Sequence, residues 1–67
     1  MTQAVTESYL EGIREGRSFY RKHGMEMAGE VLDNLNRTIR QFAADTEVGQ
    51  MLRGERDFWR NQIKKHS

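Results

Sequence analysis

A chain of 67 residues with 31% charged side chains, a formal net charge of +1, two histidines and neither cysteine nor proline has room for one domain, with no disulfide and no clustered metal ligands to support it. At 36% hydrophobic content the composition favours amphipathic helices over strands or a disordered tail, and it predicts an all-α fold. No basic segment leads into an apolar run at the start and no stretch of ~18 apolar residues occurs, so the expected location is the cytoplasm, without a membrane span.

Tyr9, Ile13, Gly16 and Tyr20 recur at helical spacing, with Gly12 and Phe19 beside them and Glu11, Arg14, Glu15 and Ser18 opposite. This predicts a first helix over 6–22, capped by Thr6 or by Ser8, the latter with Glu11 in an S-x-x-E box. Gly24, after Arg21, Lys22 and His23, is its expected left-handed stop. Ala28, Val31, Leu32, Leu35, Thr38, Ile39 and Phe42 then repeat at three and four, which predicts a second helix over 26–43. Asp33 and Arg37 stand four apart on its polar side, in the order that stabilises a helix.

Asp45 or Thr46 caps a third helix, expected over 46–64, in which Val48, Met51, Leu52, Phe58, Trp59 and Ile63 share one broad side. Trp59 is thus expected to be buried. Arg53, Arg60 and Lys64 lie opposite, with Arg56 at the margin and Asp57 among them. The result is one helical domain over 1–67 with short flexible ends: three amphipathic helices in a small antiparallel bundle or a helical hairpin. A core of this size supplies only ~3–5 kcal/mol, so pairing as a homodimer is expected.

Gly12, Gly16, Gly29, Gly49 and Gly54 fall inside the proposed helices, where each costs about 1 kcal/mol relative to alanine. One reading is close approach, with Trp59 or Phe42 lying against the backbone of the first helix at Gly12 and Gly16. The other is tolerance at frayed or exposed positions. Glu55 falls near the middle of the apolar side of the third helix, where an unpaired carboxylate is costly. Arg17 and the hydroxyls of Tyr9 and Tyr20 are candidate partners; alternatively Glu55 lies wet at a seam between two contacts.

Catalysis has little to draw on: there is no recognisable Ser-His-acid set and no glycine-rich phosphate loop, and no cofactor is expected. Residues 48–67 carry five basic and two acidic side chains, against six and eight in residues 1–47. Arg53, Arg56, Arg60 and Lys64 therefore form a basic face that makes nucleic-acid binding the alternative reading. The preferred reading is a protein–protein interaction module acting on an unidentified protein partner, with Met51, Phe58, Glu55 and Arg17 as candidate interaction residues. Met25 and Met27 either flank such a contact or fill gaps in the core.

The stretches ESYLEGIREGRSFYRKHG and VGQMLRGERDFWR resemble short early-region open reading frames of lambda-like temperate phages and prophages. That resemblance implies a small helical accessory or regulatory protein binding a host or phage macromolecule. It assigns no functional residue.

Overall fold

The computed structural model describes residues 6–66, and the expected flexible ends fall outside them. Three helices follow one another: α1 (Glu7–His23), α2 (Ala28–Ile39) and α3 (Glu47–His66). Thr6 is the cap of α1, its hydroxyl accepting the Tyr9 amide at 3.1 Å, so Ser8 and Glu11 are not needed for this role. Gly24 ends α1 with φ 66° and ψ −154°, a region open essentially to glycine alone, while its amide donates to the Tyr20 carbonyl at 2.7 Å.

Three of the expected boundaries shift by two residues or more. The turn through residues 24–27 delays α2 to Ala28, whose amide bonds the Met25 carbonyl at 3.1 Å. At its other end α2 stops at Ile39 rather than 43, and the amides of Gln41 and Phe42 reach back only three residues, to Thr38 and Ile39. The Thr38 hydroxyl also donates to the Asn34 carbonyl at 2.9 Å, diverting one acceptor of the last turn. Phe42, expected on the buried face of α2, therefore lies beyond its end and is exposed. Of the two candidate caps for α3, Thr46 is used: its hydroxyl accepts the Gly49 amide at 3.0 Å and donates to the Ala43 carbonyl at 2.8 Å. The last helix runs on to His66, with Lys64, Lys65 and His66 at its negative end.

The helices run up, down and up, and the break between Ile39 and Glu47 rules out a two-helix hairpin. α3 is the shared element. It packs on both α1 and α2, whose backbones do not meet among the described residues. The α1–α3 pair is parallel, as shown by the order of its contacts: Thr6 with Gln50, Gly12 with Met51 and Glu55, Gly16 with Phe58, Tyr20 with His66. α2 returns antiparallel, its end lying by the first turns of α3 and Ala28 joining Phe58 and Trp59 in the core.

Glycine decides how closely α1 and α3 approach. A Cβ on Gly12 would overlap the Met51 carbonyl, with its carbon at 2.8 Å, and one on Gly54 would overlap the Tyr9 carbonyl, with its carbon at 3.0 Å. Backbone thus lies on backbone at this seam. One turn on, Gly16 receives the Phe58 ring, with Cδ2 at 2.9 Å from a built Cβ; neither Trp59 nor Phe42 takes that place. Gly49 admits the Ala43 carbonyl where the α2–α3 connection crosses, whereas Gly29 faces open space. Close approach accounts for four of the five helical glycines and tolerance for one.

Trp59 is fully buried at the centre of the core. Phe58, Phe19 and Tyr20 meet it edge-on, with ring centroids 5.6 to 6.0 Å apart. Such geometries align ring edges with ring faces and add to area burial. Leu35, Ala28 and Ile39 are the buried contributions of α2, and Met25 packs against this cluster as a gap filler. Val48, expected on the Trp59 side, is 46% exposed because α2 has ended before it can cover the first turn of α3.

Candidate functional site

Because the backbones of α1 and α2 both approach α3 but not each other, a groove of about 400 Å³ opens between them. Phe19 of α1 and Met27 and Val31 along α2 supply its accessible apolar surface, with the buried Leu35 and Trp59 beneath it. Glu15, Glu30, Glu55, Asn34 and Thr38 supply its polar atoms, and no lysine or arginine lines it. His23 stacks on Phe19 beside it, with ring centroids 4.3 Å apart. Met27 is 39% exposed, so of the two methionines it is the one that borders the opening.

Glu55 is half-buried within this groove and has no ion-pair partner among the described residues. Burial first, and then the neighbouring Glu15 carboxylate, raise its pKa above the ordinary value. The expected Arg17–Glu55 pair is therefore corrected: Arg17 is exposed on the other side of α1, in a second cleft lined also by Tyr9, Asp57 and Lys65. The tyrosine hydroxyls are engaged elsewhere too. Tyr9 donates a short hydrogen bond to Asp57, and the Tyr20 hydroxyl lies 3.5 Å from His66 Nε2. That bond to Asp57, then burial and the Asp57 charge, raise the Tyr9 pKa, with Arg56 opposing. Glu55 is thus unpaired at a seam between two helix contacts, as in the second of the two readings, but it is half-buried there and not wet.

Two further candidate interaction residues have structural roles. Phe58 is buried between Gly16, Tyr20 and Trp59, and Met51 is half-buried with its carbonyl against Gly12. The face of α3 assigned to them is the face that α1 covers. The basic face of Arg53, Arg56, Arg60 and Lys64 is in part held within the fold. Arg53 folds back on its own helix, donating to the Gly49 carbonyl at 2.9 Å with longer contacts to the Phe42 carbonyl at 3.4 and 3.5 Å. Arg56 is half-buried and pairs with Asp57 at 3.1 Å, while Asp57 turns towards Tyr9. Of the four, Arg60 and Lys64 stand at exposed positions.

The groove residues Phe19, Val31 and Leu35 were legible only as core positions, because periodicity marks a helix's apolar side without showing whether a neighbour covers all of it. Among the described residues there is no cluster of three or more metal-ligating side chains, and no helix is long and apolar enough to cross a membrane. Fold and site define a three-helix module with an acid-lined apolar groove. No protein-family model, curated protein or solved structure matches the chain.

Proposed function

We propose that this chain is a small non-enzymatic interaction module that accepts an apolar helical segment of another protein between α1 and α2. The observation that carries the reading is the groove itself: Met27, Val31 and Phe19 are left partly uncovered by the described chain, above the buried Leu35 and Trp59. Helix-in-groove recognition uses this geometry, with anchors at helical spacing entering a cleft between two helices. The resemblance to early-region temperate-phage proteins supports the same role, that of an accessory or regulatory protein binding a host or phage partner in the cytoplasm. Homodimer formation remains part of the proposal through the exposed Leu10, Phe42 and Val48. Nucleic-acid binding along α3 has less to draw on, since Arg53 and Arg56 are held within the fold.

The test is a tryptophan-free amphipathic peptide of about 18 residues, five helical turns, with a leucine face and glutamine flanks. Trp59, the only tryptophan, reports occupancy from the groove floor. Saturable binding with a Kd of about 1 mM or tighter, weakened by Val31→Arg at unchanged helicity, is the expected result. Absence of binding by peptides of every flanking charge would overturn the reading.

A further inference from the structure

We infer that the partner segment is a basic amphipathic helix, whose apolar face enters the groove between α1 and α2 while lysines or arginines beside that face meet Glu15, Glu30 and Glu55. This inference rests on the proposed docking role and specifies the partner's chemistry. Three carboxylates border one apolar cleft on a chain whose formal charge is +1, and none of the charged side chains lining it is basic. The three come from three helices, so their convergence is produced by the fold and not by a local acidic run. Glu55 is the most telling of them. It is half-buried beside Leu35 and Trp59, its neighbour Glu15 has the same sign, and no cation of the described chain answers either inside the cleft.

Charge complementarity separates this occupant from the others. An acidic helix would add like charge to a site that already holds three carboxylates, and a neutral helix would leave Glu55 desolvated without compensation. A lysine or arginine stem can cover apolar surface while its charged end reaches a carboxylate, which suits a cleft with a hydrophobic floor and acidic edges. A second copy of the chain fits less well: the exposed Arg14 and Arg37 of its α1 and α2 already pair with Glu11 and Asp33 of their own helices, and Arg60 of α3 stands three residues from Asp57.

The experiment compares three leucine-faced peptides, identical except for lysine, glutamine or glutamate flanks, by Trp59 fluorescence and calorimetry. The lysine peptide is expected to bind tightest and the glutamate peptide weakest. Raising salt should narrow the difference. Glu15→Gln with Glu30→Gln, both at exposed positions, should weaken the lysine peptide roughly three- to tenfold while leaving the glutamine peptide within twofold. Equal binding of all three peptides overturns the basic-partner inference and leaves the docking role standing; no binding by any overturns both. A Trp59 shift that depends on protein concentration without peptide, together with a dimer in sedimentation, would make a second copy the occupant and overturn the inference as well.

Discussion

Replacing Gly12 by alanine sets two opposed effects against each other at one atom. In an exposed helix interior the change gains about 1 kcal/mol from helix propensity. Here the new methyl would sit 2.8 Å from the Met51 carbonyl carbon and 3.0 Å from the Glu55 amide nitrogen, with the carbonyl oxygen nearer still. Ordinary carbon contacts lie at about 3.5–4.0 Å, so α1 and α3 must part by something near an ångström, and neither obstacle is a side chain that can swing aside. Overpacking of this kind costs ~1–3 kcal/mol, with rigid backbone on both sides placing it at the upper end, so the net loss is about 2 kcal/mol. For a domain this small that is roughly half of the stability and about 8–16 °C in Tm. Gly54→Ala meets the Tyr9 carbonyl and should behave alike. The double variant should lose less than the sum, because helices already parted for one methyl have partly made room for the other. Gly29→Ala, with nothing near its Cβ, should stabilise by ~0.5–1 kcal/mol. Urea unfolding followed by Trp59 emission measures all four. Gly12→Ala at or above the wild-type midpoint, or a fully additive double variant, would refute the backbone-on-backbone seam.

Gly24→Ala should cost ~1–3 kcal/mol although nothing crowds the site, because the cost lies in φ 66° and ψ −154°; a neutral result in thermal unfolding would contradict it. Trp59→Ala should lose ~3–5 kcal/mol and leave the chain largely unfolded by circular dichroism, while native Trp59 emits to the blue of a solvated indole. Glu55→Gln should raise the urea midpoint at pH 7. The raised Glu55 pKa means that its favourable contribution is complete below the ordinary value of 4.5 and lost as pH rises through the folded value, so the two midpoints should converge on acidification; a lower midpoint for the variant at pH 7 would count against it. Tyr9→Phe should destabilise by about 1 kcal/mol at neutral pH by removing the donor to Asp57. In the wild type that contribution is complete below the ordinary value of 10.0 and lost as pH rises above it through the raised pKa, so alkaline titration of the unfolding midpoint should show a fall that Tyr9→Phe lacks.

The helices were legible because period-3.6 spacing of Ile13, Tyr20, Leu35 and Trp59 is local, and so were the stop at Gly24 and the need for close approach at Gly12 and Gly16. What fills the space beside a glycine is not local. The α1–α3 register decides that Phe58 reaches Gly16 and that carbonyls reach Gly12 and Gly54. The early end of α2 has the same origin. Ala43 and Ala44 carry no stop signal, and at the bend the Thr38 hydroxyl bonds the Asn34 carbonyl while Arg53, eleven residues on, lies by the Phe42 carbonyl. A helical wheel places Arg53 and Arg56 on a solvent stripe because it follows Cα positions, whereas long side chains return to backbone acceptors and to Asp57. Glu55 was recognisable as a carboxylate on an apolar side, but its surroundings depend on where α1 and α2 diverge.

That divergence follows from the glycine seam. Successive residues of a helix point 100° apart, whereas positions four apart share a face, so α3 offers two adjoining strips: Gly54 with Phe58, and Glu55 with Trp59. α1 occupies the first strip, drawn down to backbone contact at Gly54 and receiving the Phe58 ring at Gly16. Once α1 is seated there, the second strip turns towards α2 and becomes the floor of the space between them, with Trp59 sealed at one level and Glu55 one turn earlier. α2 spans only Ala28–Ile39, too short to close that space along the whole of α3. The same two glycines that stabilise the α1–α3 pair therefore also keep α1 on the far strip and hold the acid-lined groove open. Stability and the proposed docking function depend on a single contact, and a variant that parts the seam should disturb both.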